Sequence, residues 1–138
     1  YWYILGEGEE RPVLEEKIKA NNLQQRFILL GIKENPYPYV KRADLYVQPS
    51  RFEGKSIAID EAKILAKPIV VTNFPSIVDQ ITHLENGFIT EINAQSIADA
   101  IESVYRDAAL RESFIAKLKT EKLGTQAEIA KLYEIFQA

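Results

Sequence analysis

Cysteine and methionine are both absent from the 138 residues, histidine and tryptophan occur once each, and glycine and proline six times each. Without cysteine there is no disulfide, no thiolate metal site and no cysteine nucleophile, a pattern that suits a reducing compartment. Without methionine, and with Tyr1 at its head, the sequence is expected to be a processed or excised piece of a longer polypeptide. A basic excess is missing as well. Lys and Arg number 17 against 20 Asp and Glu, a net charge of −3, which disfavours a nucleic-acid binder. Nor does any apolar run approach the roughly 18–20 residues that a membrane-spanning helix needs. What remains is an ordinary globular composition, 46% apolar and 27% charged. That composition excludes wholesale disorder, and the length suits one domain, residues 1–138, with a core of its own.

Short apolar runs alternate with helical patterns. Trp2 to Leu5, closed by Gly6-Glu7-Gly8, reads as a buried strand and its turn. Pro12 opens a helix, where its missing N–H costs nothing, and Asn21-Asn22 stops it. Phe27 to Gly31 is the next strand; Asn35-Pro36-Tyr37-Pro38 breaks the chain, and Tyr39 to Ala43 is at most a short helix. Asp44 to Gln48 reads as a third strand, Ser56 to Ala66 as a helix and Pro68 to Thr72 as a fourth strand. A short helix near Ser76 to Ile81 and a turn at Asn86-Gly87 lead to a last strand, Phe88 to Thr90. Helices follow at Ala94 to Tyr105, Leu110 to Leu118 and about Gln126 to Phe136. Strands that are apolar throughout and alternate with helices predict an α/β fold, a mostly parallel sheet covered by helices on both faces. Such sheets bind ligands beyond the carboxyl ends of their strands.

Among the strand ends, Pro49-Ser50-Arg51-Phe52-Glu53-Gly54-Lys55-Ser56 carries the most chemistry. A strand ends there, a glycine turn follows and a helix begins. The first N–H groups of that helix lack intrahelical partners and, with the helix dipole, suit a phosphate or diphosphate. Gly54 has no Cβ to keep a ligand from the backbone. Two carboxylates flank the turn, Glu53 and Glu61, with seven residues between them. Helical spacing aligns Glu61 with Ile57, Ile64 and Leu65, and Asp60 with Ser56, Lys63 and Lys67. Glu61 is therefore expected along an apolar stripe and Asp60 on a solvated, charge-balanced face. A carboxylate among apolar neighbours needs a hydrogen-bonding partner, and its two oxygens suit the paired hydroxyls of a ribose or a sugar. Dipole compensation at a helix start is the competing account of Glu53 and Asp60.

These residues resemble the C-terminal, donor-binding half of retaining glycosyltransferases of the two-Rossmann-domain GT-B architecture, the glycosyl transferases group 1 family. That family reads Pro-Ser-x-x-Glu-Gly, then Glu-Ala, then Gly- or Ala-x-Pro-Val/Ile-Val. The chain has Pro49-Ser50-Arg51-Phe52-Glu53-Gly54, Asp60-Glu61-Ala62 and Ala66-Lys67-Pro68-Ile69-Val70. Ile4-Leu5-Gly6-Glu7-Gly8, Leu30-Gly31, Asn35-Pro36-Tyr37, Ala43-Asp44-Leu45 and Glu85-Asn86-Gly87-Phe88 add landmarks in order along nearly the whole chain.

The resemblance implies a Rossmann-like domain lacking its first strand-helix unit. It also implies an acceptor-binding N-terminal domain of the same polypeptide, outside this chain. Its donor would be a nucleoside diphosphate sugar, UDP- or GDP-linked, used without cofactor or metal and with retention of configuration. Glu53 would be the catalytic carboxylate, touching the donor sugar. Backbone amides of Gly54, Lys55, Ser56 and Ile57 would meet sugar and diphosphate, Glu61 the ribose hydroxyls, and Gly31, Ile32 and Lys33 the base. The absence of any Asp-x-Asp triplet agrees with metal independence. Lys55 departs from the family, which often has an apolar or aromatic residue there. It is either a partner of the diphosphate or a solvated lysine, and the usual exposure of lysine favours the second. The parent is expected to build a surface polysaccharide or glycolipid in the cytoplasm, with peripheral contact to the inner membrane surface. The fragment alone is expected to be inactive, because basic residues that neutralise the leaving diphosphate belong upstream.

Other features weigh less. Gly6-Glu7-Gly8 would need a third glycine where Arg11 stands, against a dinucleotide fingerprint. His83 lacks a metal-binding companion and is expected at the surface. Tyr37 and Tyr39 fit loop packing better than base stacking. Lys117, Lys119 and Lys122, diluted by Glu121, fit a solvated face. A nucleotide-sugar epimerase or a phosphorylase-like GT-B enzyme would place its acids differently. A non-enzymatic regulatory α/β module would need an Asp where Gln48-Pro49-Ser50 ends the third strand.

Overall fold

Ile69-Val70-Val71-Thr72 is buried at every position, as expected of a strand with neighbours on both edges and helices on both faces. This strand, β4, lies between β3 (Tyr46–Gln48) and β5 (Phe88–Thr90), both parallel to it. Side-chain alternation along β4 divides the core in two. Ile69 and Val71 pack with Ile59, Ala62, Phe74, Ile77 and Ile81, whereas Val70 packs with Ala100, Val104 and Phe114. The first group comes from α3 (Ile57–Ile64) and the 3-10 turn Ile77–Asp79 with their flanks. The second comes from α4 (Ala94–Arg106) and α5 (Ala108–Thr120). Helices on both faces of a parallel sheet are thus present as expected.

The chain divides into two compact units, Tyr1–Pro38 and Tyr39–Ala138, and the computed structural model describes residues 1–121. The predicted helix near Gln126 to Phe136, and Lys122, lie outside the described residues. In the first unit β1 (Trp2–Leu5) and β2 (Phe27–Gly31) pair in parallel, joined by α1 (Arg11–Ala20), and Trp2 stacks on Phe27 with ring centroids 5.4 Å apart. A cavity of about 240 Å3 in this unit has Ile4, Leu5, Leu14 and Leu29 as its apolar wall, with Glu7 and Arg11 also lining it.

Two of the boundaries that differ from expectation have a local cause. The third strand starts at Tyr46 and not at Asp44, since its first ladder bond runs from the Tyr46 N–H to the Pro68 carbonyl. The Asn35–Pro38 segment does not break the chain throughout: α2 covers Tyr37–Arg42, with Pro38 in its first turn. There the ring's missing N–H leaves nothing unsatisfied, and the Asn35 side chain accepts the Tyr37 N–H at 3.1 Å.

Candidate functional site

Between β3 and α3 the backbone turns through Ser50 to Lys55 before Ser56 caps the helix. Ser56 is extended, and its hydroxyl accepts the Ile59 N–H at 3.4 Å. Three side chains from the following elements hold this loop by its carbonyls. Thr72, at the end of β4, donates its hydroxyl to the Ser50 carbonyl. Ser76 donates to the carbonyls of Glu53 and Gly54 at 2.8 and 2.9 Å. Gln80 donates to the Ser56 carbonyl at 2.8 Å. A loop tethered at four of its carbonyls from three outside residues presents its remaining groups in one arrangement.

Glu53 is half-buried, and its Oε1 accepts two bonds, from Ser50 Oγ at 2.9 Å and Gln48 Nε2 at 3.2 Å. Gln48 is itself oriented: the Tyr46 hydroxyl donates to its Oε1 at 2.9 Å, and Ser56 Oγ lies 3.0 Å from its Nε2. Both donors fall on one oxygen, so Glu53 Oε2 keeps its acceptor capacity among the described residues. Burial, then the charges of Glu61 and Glu53, push the Tyr46 hydroxyl up to about 12. This side chain therefore feels both carboxylates of the Glu53–Glu61 pair, and it stays a neutral donor at physiological pH.

The predicted residues fall as follows. Glu53, Gly54, Lys55, Ser56, Ile57 and Glu61 lie on the β3–α3 connection and the first two turns of α3, in the second unit. Gly31, Ile32 and Lys33 lie at the end of β2 in the first unit, with Gly31 in the left-handed region (φ 69°) and Ile32 exposed. Lys55 is exposed and its ammonium is 3.5 Å from Asp60. At the start of α3 the Ser56 N–H is taken by Gln80 Oε1 at 2.9 Å. Among the described residues the Ile57 and Ala58 N–H groups have no acceptor, and they are the donors this helix start offers.

The facing of α3 differs from the expected one. Ile57 and Ile64 are 74% and 60% exposed, so the stripe that carries Glu61 is the outer one. The inner stripe is Ile59, Ala62 and Lys63. Lys63, expected on a solvated face, is buried, and its ammonium donates to the Gln80 carbonyl at 2.7 Å and pairs with Glu121 at 2.9 Å. Asp60 is half-buried and accepts from Gln80 Nε2 at 2.9 Å. The reason is packing: Ile59 and Ala62 fill the face of β4 formed by Ile69 and Val71, and Lys63 is carried inward beside them, tolerable only because both partners meet it.

Tyr46, Gln48, Thr72, Ser76 and Gln80 support the site and were not singled out by residue type. Only Gln80 carried a local signal, a polar residue spaced three and one positions from Ile77 and Ile81, both buried. His83 is exposed, as expected, with its Nδ1 accepting the Ile89 N–H at 3.0 Å and its ring edge on Phe88. Among the described residues no helix is long and apolar enough to cross a membrane, and no group of three or more His, Cys, Asp or Glu could hold a metal ion.

Known proteins resemble this chain throughout. An N-acetylgalactosaminyltransferase of Campylobacter jejuni, which acts on an N-acetylgalactosamine-N,N'-diacetylbacillosaminyl-diphospho-undecaprenol, is 31% identical over 119 residues, 85% of this chain and 33% of its own length. The 2-deoxystreptamine N-acetyl-D-glucosaminyltransferase of Niallia circulans is 31% identical over 113 residues, 80% of this chain and 29% of its own. Among solved structures, a variant of Staphylococcus aureus TarM in complex with fondaparinux, alpha-GlcNAc-glycerol and UDP superposes with a TM-score of 0.84. It is 26% identical, and the match covers 99% of this chain and 29% of that one. The chain thus spans about a third of the length of the curated relatives it matches. Residues 2–121 match the family whose description is glycosyl transferases group 1. With that match spanning the strands, the tethered loop and both glutamates, the chain belongs to the glycosyl transferases group 1 family.

Proposed function

We propose that this chain is the donor-binding part of a metal-independent, retaining glycosyltransferase that takes its sugar from a nucleoside diphosphate sugar. The observation that carries the reading is the Glu53–Glu61 pair. One carboxylate stands in a loop tethered from three outside residues, with one oxygen held and the other open. The second stands about one turn into the adjoining helix, and both act on Tyr46. Family membership and a UDP-bound structural relative support the donor class.

In this reading the Ile57 and Ala58 N–H groups and the positive end of α3 receive the diphosphate, with no ion needed to gather it. Glu53 Oε2 accepts from a donor-sugar hydroxyl, and Glu61 from the ribose hydroxyls. The Glu53 carboxylate stands beside the reacting sugar, where a negative charge favours the positive charge that develops at the anomeric carbon. Chemistry would also require the acceptor-binding N-terminal domain and cations for the departing diphosphate, so the 138 residues by themselves are expected to transfer no sugar. The parent would work in the cytoplasm on a lipid-linked or polymeric acceptor, touching the membrane only peripherally.

The test is an NMR titration of the 15N-labelled chain with UDP, GDP and ADP. One of the three is expected to bind with a Kd of ~1 mM or weaker, near −4 kcal/mol, and to shift the amides of residues 53–61. Shifts that gather elsewhere, or none with any of the three, overturn the reading.

A further inference from the structure

Gln80 is 5% exposed and lies 24 residues from Ser56 in sequence, yet its side-chain amide spends all its bonds on the start of α3. Oε1 accepts the Ser56 N–H at 2.9 Å; Nε2 donates to the Ser56 carbonyl at 2.8 Å and to Asp60 Oδ1 at 2.9 Å. The amide thus reads both backbone groups of the capping residue, as a strand partner would, and closes on the first turn of the helix. From Ser56 the connection continues outward: its hydroxyl contacts Gln48, and Gln48 Nε2 donates to Glu53. Inward, the Gln80 carbonyl accepts the buried Lys63 ammonium, which pairs with Glu121, whose other oxygen accepts from Asn86 Nδ2 at 2.7 Å.

We propose that Gln80 is a positioning residue of the donor site, acting through Ser56 to aim the Ile57 and Ala58 N–H groups and Glu53 at the diphosphate sugar. This rests on the proposed donor-binding function. Two physical consequences follow from the geometry. Taking the Ser56 N–H removes the donor nearest the loop, so an anion is received one residue further into the helix. Holding the Ser56 carbonyl keeps the capping residue extended, the condition for its hydroxyl to reach the Ile59 N–H. A glutamine can do both because one amide offers an acceptor and two donors; no hydrocarbon or carboxylate of the same length does.

The experiment compares binding of UDP and of uridine to the wild-type chain and to Gln80→Met and Gln80→Glu, by NMR titration with a spectrum of each free protein. Gln80→Met keeps the volume and removes every bond; Gln80→Glu keeps the acceptor for the Ser56 N–H and loses both donors. The expected result is UDP affinity about tenfold weaker in Gln80→Met, one anion contact's worth at a helix start, at least as large a loss in Gln80→Glu, whose carboxylate faces the Ser56 carbonyl and Asp60, and uridine affinity unchanged. A merely structural role would weaken both ligands alike. UDP affinity within twofold of wild type in a folded Gln80→Met overturns the positioning role and leaves the donor-binding reading standing. If Gln80→Met loses its dispersed spectrum, Gln80→Glu decides by the same criterion. A wild-type chain that binds no nucleoside diphosphate overturns both.

Discussion

Two passages of this chain are built from the same words: a parallel strand, a glycine turn and a helix. In the first, β1 runs through Gly6-Glu7-Gly8 into α1; in the second, β3 runs through Glu53-Gly54-Lys55 into α3. Their support differs. The first turn closes locally, with the Arg11 N–H on the Gly8 carbonyl, a capping residue, Glu10, that makes no side-chain bond, and exposed ion pairs of Arg11 with Glu7 and Glu15. The second is held by Gln48, Thr72, Ser76 and Gln80, all outside the turn and three of them buried. The difference teaches that a strand–glycine–helix passage supplies the shape of an anion seat, and that fixing its groups to a few tenths of an ångström takes residues remote in sequence.

The contrast is broken most severely through charge. Lys63→Met leaves Glu121, among the described residues, with only Asn86 and removes the partner of the Gln80 carbonyl, so it is expected to lower the unfolding free energy by about 3 kcal/mol. Its counterpart in the first passage, Arg11→Met, deletes two solvated pairs and is expected to leave the urea midpoint where it was. Equal shifts in the two variants would dissolve the contrast.

The glycines sharpen it next. Gly6 has φ +119°, which side-chain-bearing residues rarely adopt, so Gly6→Ala should cost ~1–3 kcal/mol although nothing lies within 4 Å of the added methyl. Gly54 has no such φ and the same open space; Gly54→Ala should melt like the wild type while binding UDP several-fold more weakly. A destabilised Gly54→Ala would make that glycine a backbone requirement and remove it from the ligand surface.

The smallest effect is in the pH dependence. The fold holds the Tyr46 proton more tightly than the unfolded chain does, with a pKa of about 12 against 10. Its contribution is therefore complete below pH ~10 and is lost as pH climbs towards 12. Tyr46→Phe, which also gives up the bond to Gln48, should be about 1 kcal/mol less stable at pH 8, and the gap from wild type should close between pH 10 and 12. Parallel stability curves for the two proteins over that window would show that Tyr46 is not the group responsible.

Much of this was legible in the residues. Trp2–Leu5, Phe27–Gly31 and Phe88–Thr90 have the bounds expected of them, because continuous apolar runs between turn residues leave little choice of strand. The Glu53–Glu61 spacing marked the segment whose loop Thr72, Ser76 and Gln80 tether. The facing of α3 was not legible. Two stripes, one with Ile57, Glu61 and Ile64 and one with Ile59, Ala62 and Lys63, are both consistent with a helix of this composition. Only contact with Ile69 and Val71 selects the second. Periodicity ranks stripes by hydrophobicity and would always put a lysine outside; Lys63 goes inside because Glu121 and the Gln80 carbonyl meet it there.

By itself the sequence determined which segments are strands and helices, that the strands run parallel, and where along the chain the two carboxylates stand, since all of these follow from short-range pattern and chain connectivity. The tertiary structure alone decided which side of α3 faces the core, which N–H groups at its start remain to be used, and which oxygen of Glu53 is open. Those depend on hydrogen bonds between residues some twenty positions apart, and such pairings exist only once the sheet has brought their elements side by side.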